Sequence, residues 1–232
     1  MMIKENISRI KERISLVCSK NKLRAESITI VAVAKGRTPE QIQSALQSGI
    51  VDIGENRVQE AFLKYSDLIP KTYGLTPIKW HMVGHLQTNK VKAAVEMFDL
   101  IHSVDSLGLA KSIDRQSAQI NKIQDILLQV NISGEASKSG FSKQEIEEAA
   151  SEIAGLKNIK VKGLMTIAPI VVDPQEARPY FRSLRELRDK INALQITHNT
   201  LHFLSMGMSD DFEVAIEEGS NMLRLGRLIF GD

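Results

Sequence analysis

Eight short apolar runs alternate with helix-type patterns along the chain, and this alternation most constrains the fold. The runs predict strands at residues 28–34, 50–53, 79–83, 99–103, 125–130, 160–164, 201–204 and 222–225. Strands that alternate with helical segments are typical of βαβ units and a parallel sheet. Eight such units in 232 residues favour a closed (β/α)8 TIM barrel, a fold of roughly 250 residues. An open doubly wound sheet is the competing prediction.

The residues before the first predicted strand indicate one additional helix. An apolar stripe with the spacing of one helix face lies within residues 1–25, at Ile3, Ile7, Ile10, Ile14 and Val17. About two heptads are short for a coiled coil, so we expect this face to pack on the outside of the barrel. No linker, repeat or low-complexity stretch divides the chain, and we therefore expect residues 1–232 to form a single domain.

Composition and charge narrow the class of protein. The net charge is +2, and 30 basic residues are interspersed with 28 acidic ones, so no basic block indicates nucleic-acid binding. The single cysteine, Cys18, excludes an intrachain disulfide and a cysteine-based zinc site. His81 and His85 straddle a strand end without a nearby acidic ligand, and no metal site is predicted. Without a spanning apolar run or a secretory core, we expect a cytoplasmic protein that does not bind membranes.

Lys35 occupies the carboxyl end of the first predicted strand. In a parallel barrel, functional groups lie at these strand ends and in the loops that follow. Because an ammonium is costly to desolvate, burial here would favour the neutral amine. A neutral lysine amine attacks carbonyl carbons to form a Schiff base. The alternative is a lysine whose ammonium extends from the strand end into water.

Two loops of small residues follow the seventh and eighth predicted strands, where such barrels commonly hold phosphate. The first contains Ser205, Gly207 and Ser209, and in the second Gly226 and Arg227 open a short helix. Glycine lets backbone N–H groups approach an anion, and serine hydroxyls add donors. A strand-1 lysine that faces these loops predicts a phosphorylated carbonyl compound as the ligand.

Pyridoxal phosphate is a cofactor that combines an aldehyde with a phosphate, and this arrangement favours it. Arg224, at the end of strand 8, is predicted to lie beside the pyridine nitrogen. A guanidinium cannot give up its proton, so Arg224 would donate to that nitrogen and weaken the ring as an electron sink. Met165, at the end of strand 6, is predicted to pack against one face of the ring.

Five motifs in this order resemble the pyridoxal phosphate homeostasis protein family: VAVAK (31–35), GENRVQE (54–60), WHMVGHLQTNK (80–90), SMGMSDD (205–211) and RLGRLIFG (224–231). The resemblance spans nearly the whole chain. The family is similar to the barrel domain of bacterial alanine racemase standing alone. Two positions depart from the family pattern: Ala34 replaces a common serine, and Arg227 replaces a small or hydroxyl residue.

The resemblance implies a set of cofactor-binding residues. Lys35 would carry pyridoxal phosphate as an internal aldimine, and Arg224 would contact the pyridine nitrogen. Ser205, Ser209 and the turn formed by Gly226 and Arg227 would bind the phosphate. The matched motifs also contain Asn56 and His81, which complete the predicted set together with Met165.

The resemblance favours a non-catalytic carrier or regulator of cofactor supply, with pyridoxal-phosphate-dependent apo-enzymes as candidate partners. Racemisation requires an acid/base on each face of the substrate carbanion. By resemblance, the second group in alanine racemase is a tyrosine that belongs with an additional domain and a partner subunit. The chain ends at Asp232, and Tyr65, Tyr73 and Tyr180 fall on predicted helices or a connecting loop. We therefore expect a monomer without turnover; an amino-acid racemase and a Schiff-base aldolase acting on a sugar phosphate are the alternatives.

Overall fold

Parallel strands close into a barrel in a computed structural model that describes residues 2–68, 78–135 and 137–231. The strands follow one another in chain order, and the eighth pairs with the first. They are β1 Thr29–Val33, β2 Asp52–Glu55, β3 Lys79–Met82, β4 Leu100–Val104, β5 Gln124–Gln129, β6 Ile159–Met165, β7 Phe203–Ser205 and β8 Met222–Leu225. All the predicted strands are confirmed, and the closed topology excludes the open doubly wound sheet.

Helices connect the strands and cover the outside of the barrel. They are α1 Met2–Lys20, α2 Pro39–Gln47, α3 Val58–Leu68, α4 Val91–Met97, α5 Leu107–Gln119, α6 Ile146–Ala154, α7 Arg178–Ala193, α8 Phe212–Glu217 and α9 Arg227–Phe230. None of the helices in the described ranges combines the length and apolar character that a membrane crossing requires.

A capping box fixes the start of α2, the helix that follows Lys35. The Thr38 hydroxyl accepts from the backbone N–H of Gln41, and the Gln41 side chain accepts from the backbone N–H of Thr38. Pro39 occupies the first turn, where its missing N–H costs nothing. The helix start is therefore defined three residues after Lys35.

The predicted N-terminal helix is confirmed as α1, which packs against α8 and α9. Its buried residues follow the predicted stripe, with Ile7, Ile10, Ile14, Val17 and Cys18 facing inward. Arg13 Nε lies 2.9 Å from Glu213 Oε1, and its guanidinium carbon lies 4.6 Å from the centre of the Phe212 ring. Asn6 Nδ2 donates to the Ile229 carbonyl at 3.1 Å. These contacts attach α1 to the segments on either side of β8.

The barrel interior holds a small apolar cluster beside a series of polar side chains. The apolar cluster consists of Val31, Val83, Leu100, Leu127, Met165 and Met222. Each polar side chain is hydrogen-bonded to the next one across the interior. We call this set the interior polar chain: Asp52, His81, His102, Ser205 and Arg224. Branched apolar residues usually dominate the interior of such barrels, so a continuous polar series here requires a separate explanation.

Candidate functional site

The register between β1 and β8 places the predicted site residues on neighbouring strands. Val31 pairs with Arg224, and Ala32 pairs with Leu225. A Cβ built on Gly226 would lie 3.4 Å from the Val33 carbonyl oxygen, so the loop after β8 runs against the end of β1. Lys35 and the second predicted phosphate loop therefore share one sector of the barrel rim.

Lys35 lies in a tight turn just beyond β1, and its side chain is exposed. The backbone N–H of Arg37 donates to the Ala34 carbonyl at 3.0 Å, and Gly36 adopts a φ of +67° in the left-handed region. Within the described ranges, no residue forms a hydrogen bond or ion pair with Lys35 Nζ. Lys35 is therefore exposed rather than buried, because the turn carries it out of the sheet. The exposed amine is accessible to a ligand at the rim.

A buried ion pair supports the turn that carries Lys35, and sequence reasoning missed it. Lys64 Nζ donates at 2.6 Å both to the Ala34 carbonyl and to Glu55 Oε1. Burial raises the pKa of the fully buried Glu55 carboxyl, although Lys64 opposes this shift. The sequence could have indicated this ion pair, because Lys64 follows Ala61 at helical spacing and so places a charge on the buried face of α3.

Arg224 reaches from β8 across the interior and is held by three acceptors. Its Nη1 donates to the carbonyl and the hydroxyl of Ser205, each at 2.7 Å, and its Nη2 donates to the Thr166 carbonyl at 2.8 Å. The residue is only 5% exposed. Burial lowers the pKa of Arg224 to about 10, and the nearby Asp211 carboxylate opposes this shift. The guanidinium is thus a fixed cationic donor that offers no acceptor atom.

The two predicted phosphate serines lie in different environments. The Ser205 hydroxyl is fully buried, between Arg224 Nη1 at 2.7 Å and His102 Nδ1 at 2.9 Å. Ser209 instead lies beside the first turn of α9, where its Oγ accepts from the backbone N–H of Leu228 at 3.5 Å. The structure therefore brings Ser209 to the loop after β8 and brings Ser205 to Arg224.

The loop after β8 offers backbone N–H groups as hydrogen-bond donors, while the Arg227 side chain is engaged in an ion pair. The Gly226 carbonyl accepts from the backbone N–H groups of Ile229 and Phe230 at 3.0 Å. The N–H groups at the very start of a helix lack partners within that helix, and the N–H of Leu228 points to Ser209 Oγ at 3.5 Å. Arg227 Nη2 forms an exposed ion pair with Asp210 Oδ2 at 2.5 Å.

Asn56 lies at the rim, whereas Met165 lies deeper in the barrel. A Cβ built on Gly84 would lie 2.4 Å from the Asn56 carbonyl oxygen, so these two loops are in close contact. Asn56 lines a cavity of about 300 Å³ together with Gln129 and Ile167. Met165 is fully buried in the interior apolar cluster. Of these two predicted contacts, only Asn56 borders open space at the rim.

His81 is buried inside the barrel with both ring nitrogens engaged. Its Nε2 lies 2.9 Å from Asp52 Oδ1, and its Nδ1 lies 2.9 Å from His102 Nε2. A direct polar contact between His81 and a ligand therefore has no free nitrogen available. Burial holds the pKa of His102 well below its usual value, and the neighbouring His81 and Arg224 add to this effect. His102 and Asp52 were not expected from the sequence, since no local motif marks them.

The closed barrel has the architecture of the alanine racemase barrel domain. A family model for "Alanine racemase, N-terminal domain" matches residues 2–232. Alanine racemase of Clostridium difficile has the same fold at 16% identity, with a TM-score of 0.76 over all of this chain and 59% of that protein.

Two more similar proteins identify the family within this class. The pyridoxal phosphate homeostasis protein of Aquifex aeolicus is 42% identical over 229 residues, which cover 98% of this chain and 97% of that protein. The structure of PipY of Synechococcus elongatus, solved with pyridoxal phosphate bound, is 33% identical, with a TM-score of 0.82 over 96% of this chain and 100% of PipY. The chain belongs to the pyridoxal phosphate homeostasis protein family.

Proposed function

We propose that this protein binds pyridoxal phosphate at the barrel rim and acts in cofactor homeostasis as a carrier or regulator, without catalytic turnover. The observation that carries this proposal is the buried guanidinium of Arg224, fixed by three acceptors one strand away from Lys35. The Aquifex aeolicus relative named for this role and the structure of PipY with the cofactor support it.

Each residue of the site has a definite chemical task in this proposal. The cofactor supplies an aldehyde carbon, and Lys35 Nζ forms a C=N bond with it while the carbonyl oxygen leaves as water. Arg224 donates a hydrogen bond to the pyridine nitrogen and keeps that nitrogen unprotonated. Ser209 and the backbone N–H groups after Gly226 hold the phosphate.

The remaining predicted residues shape the pocket around the ring. Asn56 borders the ring from the rim, and Met165 packs beneath it from the interior cluster. Ser205 and His81 act through Arg224 rather than on the ligand, since their polar atoms are engaged inside the barrel.

The placement of tyrosines supports a carrier over an amino-acid racemase. Tyr65 lies on α3 and packs edge-on against Trp80, with 5.9 Å between ring centres, and Tyr180 lies on α7. Tyr73 is outside the described residues. Neither described tyrosine lies at a strand end, where a second acid/base would face the ring. We further propose that the protein is monomeric and cytoplasmic and that it passes the cofactor to apo-enzymes.

The first experiment compares the visible absorbance of the wild type, Lys35→Ala and Lys143→Ala after incubation with pyridoxal phosphate and removal of free cofactor. We expect a visible Schiff-base band in the wild type and in Lys143→Ala, an exposed-lysine control, and its complete loss in Lys35→Ala. Borohydride reduction followed by peptide mass mapping is expected to place the cofactor on Lys35. A wild type without a band contradicts cofactor binding and favours the aldolase alternative.

A second measurement tests the absence of turnover. The loaded protein is incubated with L-alanine and other L-amino acids, and the products are separated on a chiral column. Formation of D-isomers that depends on Lys35 would contradict the carrier function. Transfer to a panel of apo-enzymes, compared with free cofactor at equal concentration, tests delivery.

A further inference from the structure

The interior polar chain spans the barrel from one end to the other. Asp52 opens β2 at the amino-terminal end, where its side chain is 16% exposed, and Arg224 lies near the carboxyl end of β8. Between them, His81, His102 and Ser205 are linked by three contacts of 2.9 Å each, and the Ser205 hydroxyl lies 2.7 Å from Arg224. Each link in this chain is within hydrogen-bond distance, so the series is continuous.

Only one direction of donation satisfies every group in this chain. Arg224 can only donate, so the Ser205 oxygen accepts from it and the Ser205 hydroxyl donates to His102 Nδ1. Neutral His102 then carries its proton on Nε2 and donates to His81 Nδ1. His81 in turn donates from Nε2 to the Asp52 carboxylate.

The opposite direction leaves groups unsatisfied. If His102 donated to Ser205, the serine oxygen would accept two bonds, and its own proton would have no acceptor within the described ranges. His81 Nε2 would then be an acceptor and would face the Asp52 carboxylate, which is also an acceptor. Such a pair persists only if a further proton is taken up, by the carboxyl or by His81 Nε2. Donation that runs from Arg224 towards Asp52 therefore has the lower free energy of the two directions.

We propose that Asp52, His81, His102 and Ser205 are positioning residues, which fix the Arg224 guanidinium through a hydrogen-bond chain that runs in one direction to a carboxylate at the opposite end of the barrel. With Nη1 fully used and one Nη2 proton on Thr166, the Nε proton and the second Nη2 proton have no acceptor among the described residues. These two protons can be donated only to a ligand atom that is itself an acceptor. The identity of that ligand, a pyridine nitrogen, rests on the proposed function.

The ligand-free protein provides a test that does not depend on the cofactor. In protein labelled with ¹⁵N on histidine, long-range ¹H–¹⁵N correlation spectra distinguish the two neutral tautomers and the imidazolium. We expect His81 and His102 to carry a single proton each, on Nε2, with assignments from His81→Gln and His102→Gln. A proton on Nδ1 of either ring would overturn the inference and leave the proposed function untouched.

Asp52→Asn tests the anchor of the chain with a side chain of the same shape. Because asparagine can donate as well as accept, we expect His81 to lose its single tautomer and the dissociation constant of pyridoxal phosphate to rise about tenfold, the value of one hydrogen bond to a charged group. Asp125→Asn is the matched control, since Asp125 lies at the same end of the barrel on β5, outside the chain. If His81 has the same tautomer and pyridoxal phosphate binds with the same affinity in Asp52→Asn and in Asp125→Asn, the inference is overturned.

Ser205→Ala provides a second variant that does not remove a charge. It deletes the hydroxyl between His102 and Arg224 but keeps the Ser205 carbonyl that also accepts from Nη1. We expect a similar rise in the dissociation constant and a changed His102 Nδ1 shift in the ligand-free protein. An unchanged shift and affinity would contradict the inference. A wild type that shows the expected tautomers but binds no cofactor would contradict only the proposed function.

Discussion

His102 lies in the middle of the interior polar chain, with both ring nitrogens hydrogen-bonded and no exposure to solvent. The charged imidazolium would lose its hydration there and would face the guanidinium of Arg224. The pKa of His102 is therefore held well below its usual value. In the unfolded chain the same ring titrates near its ordinary pKa of about 6.5.

This difference predicts how stability depends on pH. Below pH ~6.5 the unfolded state binds a proton that the native His102 does not, so the free energy of unfolding falls as the pH decreases, by at most about 1.4 kcal/mol per pH unit for one proton. We expect His102→Gln to make this dependence shallower by up to one proton in urea unfolding between pH 5.5 and 7.5. His198→Gln, at an exposed histidine, is the control substitution. Equal slopes in the wild type and His102→Gln would contradict the prediction.

The residue scale is also where prediction from sequence was least complete. The positions of Lys35 just after β1 and of Arg224 near the end of β8 could be inferred, because both follow from the strand pattern of a parallel barrel. The exposure of Lys35 could not, because it depends on a turn with Gly36 in the left-handed region. Ser205 was assigned to phosphate from its loop composition, whereas its hydroxyl faces inward as part of β7.

At the scale of elements, the loops after β2 and β3 are in such close contact that one position requires glycine. A Cβ on Gly84 would lie 2.4 Å from the Asn56 carbonyl oxygen and 2.7 Å from its Cα. Both neighbours are backbone atoms, so rotation of a side chain cannot relieve the overlap. The position of Asn56 at the rim therefore depends on the absence of a side chain at residue 84.

We expect Gly84→Ala to lower the free energy of unfolding by roughly 1–3 kcal/mol, the usual cost of overpacking, and to weaken cofactor binding by displacing Asn56. Gly108→Ala is the matched control, since Gly108 lies in α5 with no atom within 4 Å of a built Cβ. There we expect no loss, or a gain of up to ~1 kcal/mol from the better helix former. Urea unfolding and cofactor titration of both variants check this; equal effects of the two substitutions would refute it.

The elements themselves were largely predictable, while the contacts between distant strands were not. Strands buried on both faces are continuous apolar runs, which is why all eight could be located. The interior polar chain takes one residue from each of β2, β3, β4, β7 and β8. Only the barrel register brings them together, and no local spacing in the sequence contains that information.

At the scale of the whole molecule, α1 supports the part of the barrel that contains β8. Its apolar face is buried, and it contacts both α8 and α9, the helices on either side of that strand. Arg13 and Asn6 add polar contacts to Glu213 and to the Ile229 carbonyl. The loop after β8 is thus supported from outside by the amino-terminal helix.

Truncation of one buried α1 side chain is therefore expected to destabilise the fold. Ile10 is 2% exposed, and Ile10→Ala should lower the free energy of unfolding by about 2–5 kcal/mol through lost burial and a residual cavity. Leu16→Ala, at an exposed position on the same helix, should change it by no more than ~0.5 kcal/mol. Urea unfolding measures both, and a similar effect of the two substitutions would show that α1 is not part of the cooperative unit.

The pairing of β1 with β8 also sets the order in which the binding site becomes available during synthesis. Lys35 leaves the ribosome early, whereas Ser209, Arg224 and Gly226 follow only after most of the barrel has been made. The amine and its proposed partners meet when the two strands pair and the cylinder closes. A ligand held across this junction binds the closed form alone and, by mass action, opposes its opening. The cofactor would then stabilise the junction that closes the barrel.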